Sequence, residues 1–365
     1  MVGEDATSSQ LEAPPLVPMS LTALDSEKLQ QLANQVIQFT WREKMLTQWS
    51  WGEGVYLLAQ VRYHEISQSE IPNELIQWYR ARNSLELGHV NNVAPASAAV
   101  RLQNLDLLDA NSMNREVQKW LADKSNLTYA ANGAIEHWPN SVWADTCYML
   151  GSYYINLAVA NKSYELLKFM GDQLEFHIEI LQHPESKLFA HGSYNGVTLW
   201  NFWGRGNAWM ALSCVEYLDA CEVLGIDDSQ TEKIKKALKF QLTALISLLP
   251  DYGIWDVLVD RQVENRGILE TSASAGLGAA LVRAARHFDN NKELLESGLK
   301  VISASLTYIN NSGMLSRTSA GTVLQLIPFG YSVIRNDRPQ LWGQGLALNA
   351  ITTALEPTKN QVAFT

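Results

Sequence analysis

One carboxylate, a few imidazoles and a high density of indoles are the side chains in this sequence with chemistry to offer. The stretch at 137–154, HWPNSVWADTCYMLGSYY, holds a single acid, Asp145, among Trp143, Tyr148, Met149, Tyr153 and Tyr154. Apolar and aromatic positions recur there at helical spacing, which predicts a helix over 142–150 with Asn140 or Ser141 able to cap it after Pro139. An acid in the first turn of a helix is ordinary, because the helix dipole favours it. An acid held in an aromatic pocket has a raised pKa and can deliver a proton. The stretch alone is compatible with both.

Other polar residues fall at helix starts or in long irregular segments, where pocket residues belong. The imidazoles are His137 and His191, the amides Asn91 and Asn92, and the further acids Glu53, Asp256 and Glu270. Arg205 sits in WGRGNAW between Trp203 and Trp209, and Arg266, Trp51 and Trp342 occupy similar turns. A guanidinium beside indole faces can ion-pair an anionic sugar while the rings stack on it. The sequence has no P-loop, no GxGxxG after a strand, no HExxH, no CxxC and no GxSxG elbow. Without a metal or cofactor signature, proton chemistry by carboxylates and imidazoles remains; neither metal nor cofactor is expected.

The elements that must position these residues are helical. The 365 residues are 47% apolar and 18% charged, a globular composition that can bury a core. Net charge is −10 with no basic run, which disfavours nucleic acid and anionic membranes as partners. No apolar stretch reaches the length of a bilayer span. The first twenty residues carry early acids and prolines in place of an apolar signal core, so residues 1–22 are expected to be a flexible arm. Three cysteines without paired spacing fit reduced thiols and a cytoplasmic location.

About twelve helices alternate with short and long connections over residues 23–365, and the long connections carry the Trp, Gly, His and Arg. Short strands are expected only near 255–258. Six such hairpins predict a single all-α domain, an (α/α)6 barrel or six-hairpin toroid, with the inner helices and long loops framing one pocket.

From Trp49 to Leu355 the chain also resembles the unsaturated glucuronyl and rhamnogalacturonyl hydrolases, glycoside hydrolase families 88 and 105. Eight segments carry the likeness in order: WGEGVYLLAQ, HVNNVAPASAAVRL, EHWPNSVWADTCYML, FAHGSYN, FWGRGNAW, GIWDVLVD, LETSASAG and LWGQGLALNAITTAL. The resemblance implies an (α/α)6 barrel that hydrates the enol ether of a 4,5-unsaturated uronic acid instead of displacing at the anomeric carbon. It implies that Asp145 is the general acid/base. It further implies that Trp51, His137, Trp143, His191, Trp203, Arg205 and Trp209 hold the sugar, with Asn91 and Asn92 beside them. Those two amides stand where the family commonly has a second acid; an amide can bind a hydroxyl or water but takes up no proton. The expected partner is a small unsaturated glycoside or oligosaccharide met by a monomer or homodimer. The alternatives are a relative using the same proton donor as a cyclase, isomerase or dehydratase, and a sugar-binding pseudoenzyme.

Overall fold

The computed structural model describes residues 14–361 other than 83 and 290. Thirteen α-helices lie among the described residues, and twelve of them pair into six hairpins. The outer members are α1 (Ser26–Arg42), α3 (Asn73–Arg80), α5 (Asn111–Ala122), α7 (Tyr164–Leu181), α9 (Ser229–Ser247) and α11 (Lys292–Leu306). The inner members are α2 (Trp51–Ser67), α4 (Pro95–Asn104), α6 (Ala144–Asn161), α8 (Gly204–Leu224), α10 (Thr271–Ala284) and α13 (Leu341–Gln361). The remaining helix, α12 (Phe329–Ser332), is a single turn inside the last long connection.

Each inner helix packs on the next, and α13 returns to α2, so the inner ring closes. This is the expected (α/α)6 barrel. Burial explains which helices go inside. The side chains of α6, α8 and α10 are buried nearly all round, whereas α1, α5 and α11 keep one polar face for water. Close approach in the ring demands small residues: a Cβ at Gly54 of α2 would stand 2.6 Å from the Ala94–Pro95 backbone that opens α4.

The two layers begin differently. Asp25, Ser163, Asp228 and Asn291 cap the outer helices α1, α7, α9 and α11 through their side chains. The inner helices α2, α4, α6 and α8 have no side-chain cap, and their positive dipole ends meet at one end of the barrel.

Two expectations change. The described part of the 1–22 arm is tied down: Leu16 N donates to Tyr308 Oη at 2.8 Å and Met19 N to Thr307 Oγ1 at 3.0 Å; residues 1–13 lie outside the described residues. The one two-stranded sheet described is a hairpin of Gly192–Tyr194 and Val197–Leu199, and the region expected as strand near 255–258 makes only isolated bridges.

Candidate active site

A cavity of about 430 Å³ opens where the inner helices begin. Trp51 is the first residue of α2, Asn91 and Asn92 form the turn before α4, and Asp145 is the second residue of α6. Trp203 and Arg205 flank the start of α8, and Gly321, Thr322 and Val323 come from the connection between α11 and α13. His137, Trp138 and Trp143 complete one wall together with His89.

The segment before α6 is shaped by contacts other than the expected cap. Asn140 adopts a left-handed turn with φ of 64°, and the helix begins at Ala144 rather than Val142. Ser141 Oγ instead donates to Ser193 O at 2.7 Å and accepts the Trp143 indole N–H at 2.6 Å. Trp143 then stacks flat on His137, with ring centroids 4.0 Å apart. The HG turn supplies the space: a Cβ on Gly192 would lie 2.8 Å from both the Trp143 ring and Val142 O.

Asp145 is buried, and its Oδ2 lies 3.5 Å from Nε2 of fully buried His191. Burial pushes this carboxyl up, but the imidazoles of His191 and His137 beside it and the Arg205 cation together outweigh it. The result is a carboxyl held below its ordinary value, the reverse of the direction expected from its aromatic surroundings. Burial is likewise the main influence on both imidazoles: it depresses His191 and takes His137 down to about 3. Both rings are neutral near pH 7, facing an ionised Asp145.

Arg205 is not available for an anionic sugar in the expected way. Its Nη1 lies 3.1 Å from Glu270 Oε2 and donates to Ser319 O at 3.0 Å, while Nη2 reaches Ala320 O at 2.9 Å. The guanidinium stands 4.5 Å from the Trp203 ring centroid and 5.4 Å from that of Trp342. It is a buried rivet, with only Nε–H unpaired. Trp209 also departs from expectation: it is fully buried, stacks on Tyr148 and lies outside the cavity. Its indole packs the barrel interior, one helical turn below Arg205. His191 sits behind Asp145 without lining the cavity. Glu53, Asp256 and Arg266 lie outside it too. Trp342 supports the wall by stacking on Trp51 at 4.5 Å.

Four side chains of the lining, Asn91, Asp145, Trp203 and Arg205, each keep a buried polar atom without a hydrogen-bond partner. Native interiors seldom leave such groups unpaired, and their concentration here suits a polar ligand. A second cavity, of about 290 Å³, lies among the C-terminal halves of the inner helices. Its arginines are spent on carboxylates, as in Arg62–Glu216 at 2.5 Å and Arg283–Asp219 at 2.7 Å, so it is a structural ion-pair network.

The model of glycosyl hydrolase family 88 matches residues 26–357. The chain belongs to this family. As a family 88 member it is a glycosidase. Among curated relatives it is 26% identical to the unsaturated rhamnogalacturonyl hydrolase YesR of Bacillus subtilis (strain 168), over 93% of this chain and 99% of that protein. Among solved structures it is similar to a possible member of the GH105 family from Salmonella enterica serovar Paratyphi A, with a TM-score of 0.80 and 20% identity over 92% of this chain and 95% of that one. A Klebsiella pneumoniae protein, also a possible GH105 member, gives 0.79 and 20% over 97% and 98%. At these identities the two structures speak for the shared barrel.

In this family 88 chain the structure adds residues that sequence reasoning passed over. His89 lies 4.5 Å from His137 and 4.4 Å from Trp138, ring to ring. Its Nε2 donates to His137 O at 2.8 Å and its Nδ1 accepts the Asn91 N–H at 3.1 Å, so both nitrogens are occupied and the ring is a neutral support. Its place two residues before the Asn pair was the available signal. Thr322 and Val323 had no local signal, nor did Tyr331, whose hydroxyl is 2.8 Å from His191 Nδ1 across 140 residues of sequence.

Proposed function

We propose that this glycosidase hydrates the enol ether of a terminal 4,5-unsaturated uronic acid in a short oligosaccharide or glycoside, with Asp145 as general acid/base. The carrying observation is the single carboxylate. Displacement at an anomeric carbon uses two carboxyls roughly 5–9.5 Å apart. Asp145 is the one acid among the residues lining this cavity. Glu270, the next acid behind Arg205, is spent on that guanidinium and on the N–H groups of Ser272 and Ser319. One proton donor is what an enol ether needs.

In this reading Asp145 gives its proton to C4, and water adds at the resulting oxocarbenium-like C5. The proton released by that water returns to the carboxylate. The hemiketal at C5 opens and expels the aglycone, with one water consumed. The carboxylate left after proton transfer stabilises the cationic transition state by its charge. Trp51, Trp143 and Trp203 offer ring faces, and Asn91 and Asn92 hold hydroxyls or the water.

The low pKa of free Asp145 fits a substrate that is itself an anion. A uronate entering the cavity places a like charge near the carboxylate and excludes water, and both raise the Asp145 pKa so that the complex takes up the proton it uses. The uncapped helix ends and the unpaired Arg205 and Trp203 N–H groups favour the sugar carboxylate. The reading is tested by mixing the protein with unsaturated disaccharides made by several polysaccharide lyases and following loss of their conjugated ultraviolet absorbance. Turnover of none of them, with another unsaturated compound consumed in an Asp145-dependent way, gives the assignment to a cyclase, isomerase or dehydratase.

A further inference from the structure

The buried face of Asp145 is backed by a line of polar contacts that begins in the last long connection. Gln325 N donates to Tyr331 Oη at 3.4 Å, Tyr331 Oη lies 2.8 Å from His191 Nδ1, and His191 Nε2 lies 3.5 Å from Asp145 Oδ2. Tyr331 and His191 are both fully buried. A neutral imidazole carries one ring proton, and a carboxylate facing Nε2 requires it there. Nδ1 is then bare and takes the phenol proton, while the phenol oxygen receives the Gln325 N–H. Burial raises the Tyr331 phenol, which keeps it a donor through the neutral range.

We propose that Tyr331 is a positioning residue that fixes the His191 tautomer with Nε2–H aimed at Asp145, and so sets the proton affinity of the carboxyl. This rests on the reading of Asp145 as proton donor. The same connection contributes Gly321, Thr322 and Val323 to the cavity wall. It is pinned by Asn201 Nδ2 to Gln325 O at 2.8 Å and by Arg205 Nη2 to Ala320 O. Seating of the wall and orientation of the imidazole are therefore one event. The other groups that act electrostatically on Asp145 are His137, which is neutral, His89, whose ring nitrogens are both occupied, and Arg205, which is paired with Glu270. His191 is the one among them in direct contact with the carboxylate, at 3.5 Å.

The test is nitrogen NMR of histidine-labelled protein, with the His191 signals identified by comparison with His191→Gln. In the unaltered chain near pH 7, Nδ1 should resonate as a bare, hydrogen-bonded nitrogen and Nε2 as a protonated one. In Tyr331→Phe, Nδ1 should move toward the value of a free bare nitrogen. There kcat should fall about tenfold, roughly what one neutral hydrogen bond contributes, with KM little changed. The limb of the pH profile set by Asp145 should move to higher pH, because weaker Nε2–H donation stabilises the carboxylate less. A protonated Nδ1 in the unaltered chain overturns the proposal. So does a Phe variant with unchanged nitrogen shifts and an unchanged limb. If no unsaturated uronide is turned over, the proposed function fails while the nitrogen spectra still decide the tautomer; if Tyr331→Phe does not fold, the spectrum of the unaltered chain decides it.

Discussion

Arg205 and Glu270 form a buried ion pair, Nη1 to Oε2 at 3.1 Å, between the start of α8 and the N-cap of α10. Both side chains are almost wholly shielded from water, and Glu270 also accepts the Ser272 and Ser319 backbone N–H groups. The pair joins two inner helices and the last long connection at the floor of the cavity. A guanidinium anchored in this way presents its cationic field without moving to meet a ligand.

Breaking that pair strands a charge in the interior. Glu270→Ala should destabilise the fold by about 3–5 kcal/mol, the usual consequence of removing one member of a buried pair. Denaturant unfolding of the variant and the parent measures it. A loss below about 1 kcal/mol contradicts the assignment of Arg205 as a structural rivet.

Asp145→Asn keeps the shape of the side chain and removes the proton. Turnover of an unsaturated uronide should fall about 10²–10⁴-fold, the typical contribution of a positioned general acid. Calorimetric titration should show that substrate still binds. Retained turnover excludes Asp145 as the donor.

Asn91 lines the cavity with a buried Oδ1 that has no partner. Asn91→Asp introduces a second acid into the same enclosure, and a like charge raises the pKa of its neighbour. The limb of the activity profile that reports ionisation of Asp145 should move to higher pH. A profile that stays put shows that position 91 is electrostatically remote from Asp145.

Buried histidines make the fold sensitive to acid. Burial holds His177 down to about 4, opposed by its hydrogen bonds to the Gln173 and Ile135 backbone, and holds His137 down to about 3. Their ordinary value in the unfolded chain is 6.5. Below pH 6.5 the unfolded chain therefore binds protons that the folded chain refuses, and stability falls with pH until the folded values are reached. Melting temperature should be level above pH 7 and drop between about pH 6.5 and 4. His177→Gln should flatten that drop; an equally steep fall in the variant assigns the acid sensitivity elsewhere.

The inner helices were legible in the sequence because their residues are apolar nearly all round, as in α6 and α8, and such helices have nowhere to go but a protein interior. Asp145 stood out for the same reason, as the single acid in an apolar stretch at a helix start. The local start of that helix was read two residues early, since Ser141 prefers partners from the 192–199 hairpin to the cap role its type suggests.

What the sequence by itself determined, then, is the ring of helices, the family and the identity of one isolated carboxylate, all carried by spacing along the chain. The ionisation of Asp145, the commitment of Arg205, the withdrawal of Trp209 into the interior and the link from Tyr331 to His191 were decided by tertiary structure alone. Each depends on a partner 46 to 140 residues away, as with His191 beside Asp145, Glu270 beside Arg205 and Tyr331 beside His191. Electrostatic and hydrogen-bond energies are set by distances of a few ångströms in a shielded interior, and residue types in sequence order do not contain those distances.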